Sequence, residues 1–190
     1  MLFVGLGNPG SIYKNNRHNI GYKVIDKLID DLNAKEISKT SFNGQLYKLG
    51  TLFFLKPTTY MNLSGKSVQK VKNFFKIETA EIVVIHDDID LPFGAVRFKR
   101  GGGSGGHNGL KSIDELIGRE YIRVRVGVGK PEHKSEVSNF VLHDFEDEQN
   151  SHIEELISYV STVCRKIPTS TLEQVKSLYS KKDISVITPK

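Results

Sequence analysis

Apolar positions along this chain switch between a strand period and a helix period. Residues 2–6 form a short continuous apolar run, which predicts a buried strand. Val24, Ile25, Leu28, Ile29 and Leu32 then recur at helical spacing, with Asn19 available as a cap. Residues 44–50 and 51–56 predict a strand pair ending in Phe53, Phe54 and Leu55, and Val68, Val71 and Phe75 mark a helix after Ser64. Ile82 to Ile85 predict a buried strand that runs into His86, Asp87 and Asp88. Residues 95–100 and 121–128 read as further strands, with a short helix between them at Leu110, Ile113 and Leu116. Ile153, Leu156, Ile157, Val160, Val163 and Cys164 give the clearest amphipathic helix. Glu146, Asp147 and Glu148 lie near its start, and Arg165 and Lys166 near its end, as the helix dipole favours. Leu172, Val175 and Tyr179 give a last short helix, and the residues from about Asp183 (183–190) read as a frayed tail. This alternation predicts an α/β fold: a single domain over 1–190, with a twisted, mixed and mostly parallel sheet and helices on both faces.

Composition narrows the classes. A chain of 190 residues, 38% of them hydrophobic, can bury a core without disulfides or metals. The lone cysteine, Cys164, excludes an intramolecular disulfide and a cysteine metal cluster, and fits a reducing compartment. No apolar run approaches the length of a membrane span, and the first residues lack the basic segment of a signal peptide. The formal charge of +5 points to an anionic partner, nucleic acid first.

Two motif matches do not fit their usual context. Gly5, Gly7 and Gly10 match the spacing of a dinucleotide fingerprint. Pro9 and a polar segment separate them from the following helix, and the acidic residues expected at the end of a second strand (Asp26, Asp30 and Asp31) lie inside that helix. Gly65-Lys66-Ser67 resembles the end of a phosphate-binding loop, but the required earlier glycine is Tyr60.

Chemistry-bearing residues gather where strands end: Asn8, Tyr13, Arg17 and His18; Thr58 to Asn62; and His86 to Asp88. In an α/β sheet ligands collect at such ends. His18 suits a general base, and Asp87 could fix its tautomer and stabilise its cation. Taken singly, His18 also reads as a helix-entry residue and Asp87 as a cap. No serine or cysteine sits in a nucleophile elbow, which favours attack by water. Asn8, Asn62 and Asn108 could grip a carbonyl or cap a turn. The glycines from Gly101 to Gly109 could let a ligand approach backbone at a helix start, or form a mobile surface loop. Arg97 with Lys99, and Arg123 with Arg125, each fall on one face of a strand. If the strands neighbour one another, four cations share a surface suited to phosphates. Arg100, Lys111, Lys130 and Lys134 could extend it, and two solvated strand faces are the alternative.

Six ordered blocks then carry a resemblance. They are Val4 to Gly10, Arg17 to Gly21, Lys56-Pro57 through Met61 to Gly65, His86 to Pro92 with Gly94, Gly105 to Leu110, and Arg123 to Gly129. Along nearly its whole length the sequence resembles the bacterial-type peptidyl-tRNA hydrolases, with a weaker match after Pro168. The resemblance implies hydrolysis of the ester between a peptide and the 3′ ribose of tRNA. It implies His18 as the base that activates water, Asp87 as its stabiliser, and Asn8 as the residue that discriminates N-acylated substrates. Tyr13, Tyr60, Asn62 and Asn108 would contact the substrate near the 3′ CCA end, and Arg97, Lys99 and Arg125 the phosphates of the acceptor stem. It implies no metal or organic cofactor, no membrane, and a monomer working in the cytoplasm. The segment from Glu132 to Phe145 is a candidate lid. A non-catalytic RNA-binding relative and an esterase of small acylated molecules are the rival readings.

Overall fold

The computed structural model describes residues 1–186. In chain order the elements are β1 (Leu2–Gly5), α1 (Ile20–Leu32), β2 (Lys35–Glu36), β3 (Gly44–Leu49), β4 (Leu52–Pro57), α2 (Ser64–Phe75), β5 (Ile82–Asp88), β6 (Val96–Arg100), α3 (Asn108–Ile117), β7 (Ile122–Gly127), α4 (Val137–Leu142), α5 (Asp147–Cys164) and α6 (Leu172–Tyr179), with 3-10 turns between several of them. Among the described residues the strands form one seven-stranded sheet in the order β2-β3-β4-β1-β5-β7-β6. The central four, β4, β1, β5 and β7, are parallel, and β3 and β6 flank them antiparallel. This is the mixed, mostly parallel sheet that the alternation predicts.

Parallel strands covered on both faces need side chains that are apolar on both faces. The middle of the sheet meets that need: Leu2 to Val4 and Ile82 to Ile85 are buried throughout. One face packs Phe3, Val83, Ile85 and Val124 against α1 and α5. The other packs Leu2, Val4, Leu55 and Val84 beneath α2 and α3. Helix α1 buries Ile20, Val24, Ile25 and Leu28 and stops at Asn33, whose left-handed backbone returns an N–H to Asp30.

Two close approaches require glycine. A Cβ on Gly21 would overlap backbone at Leu6 and Ile85, so the first turn of α1 can sit directly on the ends of β1 and β5. A Cβ on Gly65 would overlap the Ser112 carbonyl where α2 crosses α3. There the Gly65 N–H donates to Ser112 Oγ at 3.0 Å.

The chain end differs from the expected tail. Lys181 bridges to Val96, and Ile184 donates its N–H to the Phe93 carbonyl at 3.1 Å and packs on the α5-side core. The apolar Ile184 side chain gives this short turn a docking site, so Ile184 lies against the sheet. Residues 187–190 lie outside the described residues.

Gly65→Ala should push α2 and α3 apart and cost about 1–3 kcal/mol, the usual range for overpacking. A urea midpoint equal to that of the unsubstituted protein would show that the helices can separate freely.

Candidate active site

Because β4, β1, β5 and β7 are parallel, the loops that leave their carboxyl ends share one edge. A cleft of about 1150 Å³ opens there, lined among others by Asn8, His18, Tyr60, Asn62, Asp87 and Asn108. Helix α4 forms the facing wall through Val137, Ser138, Val141 and Leu142. The expected lid segment is therefore part of the cleft boundary.

At the bottom lies a three-residue constellation. His18 sits on the 3-10 turn Arg17–Asn19 that leads into α1, and Asp87 near the end of β5. His18 Nδ1 is 2.8 and 2.9 Å from the two Asp87 oxygens. His107 Nε2 reaches the same Oδ1 at 2.9 Å from the other side of the sheet. A carboxylate can only accept, so both nitrogens carry hydrogens. The remaining His107 nitrogen, Nδ1, accepts from the N–H groups of Gly109 and Leu110 and so caps α3. His18 Nε2 has no hydrogen-bond partner among the described residues and, in the neutral ring, is the lone-pair nitrogen at the cleft. No hydroxyl or thiol among the described residues is hydrogen-bonded to that ring.

Burial opposes a charged His18, but the Asp87 charge and hydrogen bond outweigh it and raise its pKa. Burial likewise opposes an ionised Asp87, yet His18 and His107 hold its carboxyl well below the ordinary range. His86, wholly enclosed beside His107, is pushed down to about 3, mainly by burial and then by His107. It stays neutral and donates Nδ1–H to the Asp87 carbonyl at 2.7 Å. His18, Asp87 and His107 also have the spacing of a metal site. Their facing atoms are engaged with one another, so a cation there would have to displace both N–H protons.

Asn8 is held from both ends. Its backbone exchanges two 2.9 Å hydrogen bonds with the Asn19 side chain, so Asn19 braces the loop instead of capping α1 with its side chain. Asn8 Oδ1 accepts the Met61 N–H at 2.8 Å. That fixes the amide orientation and leaves its NH₂ as a donor towards the cleft. Asn62 and Asn108 are exposed on the rim and make no side-chain hydrogen bond to the described residues. Tyr60, 60% exposed, stands beside them. Tyr13 does not line the cleft; it lies on the turn Ser11–Tyr13 beyond Asn8.

The two basic strands do neighbour each other, with Arg97 opposite Arg125 and Lys99 opposite Arg123. The four cations nevertheless have different surroundings. Arg123 is fully buried and bonds the carbonyls of Gly103 and Gly102 at 2.6 and 2.8 Å and Asp114 at 2.9 Å. It therefore shapes the glycine loop and presents no charge to a ligand. Arg97 turns to the Lys181 carbonyl and is not part of the cleft. Arg125 lines the cleft but is paired with Asp88 at 2.6 Å. Lys99 has no acceptor among the described residues, and burial, then Arg125 and Arg123, lower its pKa.

The motif reading missed His107, whose type is not a usual N-cap signal and whose bond to Asp87 spans twenty residues. It also missed that Arg17 would be buried and that α4 would form a wall.

Fold and site together define an α/β protein with a histidine–aspartate pair at the carboxyl edge of its sheet, the equipment of general-base chemistry. The model of the family Peptidyl-tRNA hydrolase matches residues 2–186. A peptidyl-tRNA hydrolase of Sulfurovum sp. is 64% identical over 183 residues, covering 96% of this chain and 97% of that one. That of Sulfurimonas denitrificans is 55% identical, covering 96% and 98%. The crystal structure of peptidyl-tRNA hydrolase from Acinetobacter baumannii superimposes with a TM-score of 0.91 at 33% identity, covering 96% of this chain and 95% of that one. The chain belongs to the peptidyl-tRNA hydrolase family.

The opposed influences on His18 give a signed expectation. By NMR its ring should titrate above the ordinary histidine value of about 6.5. In Asp87→Asn only burial remains, so the titration should fall below that value. An unmoved titration would disconnect Asp87 from His18.

Proposed function

We propose that the protein hydrolyses the ester between a peptide, or an N-acylated amino acid, and the 3′ ribose of tRNA. The observation that carries this is the His18–Asp87 pair, whose free Nε2 faces a cleft with no side-chain nucleophile bonded to it. His18 Nε2 takes a proton from water as the water oxygen attacks the ester carbonyl. Asp87 stays ionised and stabilises the imidazolium that forms. The tetrahedral intermediate then expels the 3′ oxygen, which takes the proton back from His18. General-base catalysis of this kind contributes ~10²–10⁴-fold.

Substrate choice follows from the orientation of Asn8. Its NH₂, not hydrogen-bonded to the described residues and bordering the cleft, donates, so it suits the carbonyl of an N-acyl group. A free aminoacyl ester offers an ammonium, also a donor, and the two would oppose each other. Tyr60, Asn62 and Asn108 surround the reacting end, where rings stack on bases and amides reach their edges. Lys99, with Arg125 beside it, takes backbone phosphate of the acceptor stem. The reading places the protein in the cytoplasm as a monomer. No helix of the described residues is long and apolar enough to cross a membrane, in keeping with a substrate free in solution.

Incubation with N-acetyl-aminoacyl-tRNA in the presence of chelator should release the acylated amino acid and leave free aminoacyl-tRNA intact. His18→Ala should lose ~10²-fold or more of that turnover and still bind tRNA. Full turnover in His18→Ala would remove the base from the mechanism, and equal cleavage of both esters would remove the role of Asn8. Lys99→Ala combined with Arg125→Ala should raise KM and flatten the plot of log KM against log salt by ~0.7–0.9 per lost contact. An unchanged slope would mean that neither cation meets phosphate.

A further inference from the structure

Arg17 immediately precedes the proposed base, and its side chain is 2% exposed. A buried guanidinium without acceptors costs several kcal/mol, so its partners show what it is for. All of its recorded side-chain hydrogen bonds go to residues 140–149. Nη1 donates to the Asp144 carbonyl at 2.6 Å and to those of Phe140 and His143 at 3.4 Å. Nη2 donates to Glu146 and Gln149 at 3.3 and 3.2 Å. The guanidinium carbon lies 4.2 Å from the centre of the Phe140 ring and 5.4 Å from that of Phe145.

These partners are the exit of α4 and the start of α5. Carbonyls at a helix exit lack intrahelical donors and attract a cation. Glu146 is the N-cap of α5 and Gln149 the third residue of that helix. The neighbouring residue adds to the bond set, since the Asn16 side-chain amide donates to the Leu142 carbonyl. The Arg17 N–H donates to the His143 carbonyl at 3.1 Å. Helix α4 has six residues and buries only Val141, far too little for a helix to hold its own place. Its inner side, Val137, Val141 and Leu142, is apolar and faces the cleft that holds His18.

We infer that Arg17 is a positioning residue, which fixes the α4 wall relative to His18 and so sets how the acyl chain of the substrate lies against the base. The inference rests on the proposed ester hydrolysis. Its mechanical half, the hold on α4, is measurable without substrate. Lysine in place of Arg17 keeps the charge but loses the planar fork and the ring stacking.

The test is Arg17→Lys, with Phe140→Leu as a second variant that leaves Arg17 in place and removes its stacking ring. Hydrogen exchange should speed up ~10-fold or more across residues 137–145 in Arg17→Lys, the scale of losing a charge-assisted hydrogen bond. It should speed up by a smaller factor in Phe140→Leu, with β5 still protected in both. With substrate, KM for an ester of an apolar peptide should rise ~10-fold, more than for N-acetylglycyl-tRNA, and the acid limb of the pH profile should stay where it is. Combined with Val141→Ala, the Arg17→Lys loss in kcat/KM should shrink, because both act through the same wall. Unchanged exchange across 137–145, or strictly additive losses in the double variant, would overturn the inference. An inactive unsubstituted protein whose α4 still loosens in Arg17→Lys would instead count against the proposed reaction.

Discussion

A single buried carboxylate organises this site. Asp87 is 2% exposed near the end of a strand whose first four residues are apolar and buried. Placing an ion there costs several kcal/mol unless donors reach it. His18 arrives from the α1 side of the sheet and His107 from the α3 side, and they converge on Oδ1. Each imidazole gives up one nitrogen to the carboxylate, which decides what its other nitrogen does. For His18 the remaining lone pair faces the cleft. For His107 it accepts two N–H groups at the start of α3, where the backbone would otherwise lack acceptors. One charge therefore orients His18 and secures the helix that carries Asn108 to the rim.

That convergence needs backbone close to backbone. The carboxyl ends of β1 and β5 lie side by side by topology alone, but adjacency of strands does not bring a helix down onto them. Gly21 removes the Cβ that would hold α1 off Leu6 and Ile85, so the turn bearing His18 can descend onto Asp87. Gly65 does the same where α2 meets α3. The Asn8–Asn19 exchange then joins the loop after β1 to the same turn. Oδ1 of Asn8 reaches across to Met61, beyond the end of β4. Three loops that are separate in sequence thus become one rigid edge, with each amide orientation determined by its partners.

The sheet and its helices, apart from the exposed two-residue β2 and the short α4, were legible because burial imposes period two or period 3.6 wherever an element has one dry side. His18 and Asp87 were legible as polar residues placed directly after apolar runs. His107 was not, because its role depends on α3 packing over the strand end, a contact between segments twenty residues apart. Arg17 was hidden for a similar reason. It sits beside His18 in sequence, yet all its recorded side-chain partners lie beyond residue 139. Asn19 and Asn108 were plausible caps by type, and the structure gives one to bracing Asn8 and the capping of α3 to the neighbouring His107.

Alternation could place Arg97, Lys99, Arg123 and Arg125 on one face, but it carries no information about what lies above that face. Helix α3 does, and it brings Asp114 down to Arg123, which also takes the carbonyls of Gly102 and Gly103. Those glycines are thereby tied down by a buried cation, which is why the loop has a defined shape despite its composition. The outcome for Lys99 follows. It stands directly across from Arg123 and near Arg125, like charges that oppose one another on adjacent strands. Burial and those two guanidinium groups together disfavour its charged form. Arrangement of charge, more than net charge, thus leaves Lys99 as the one of the four cations with neither a carboxylate nor a carbonyl partner among the described residues.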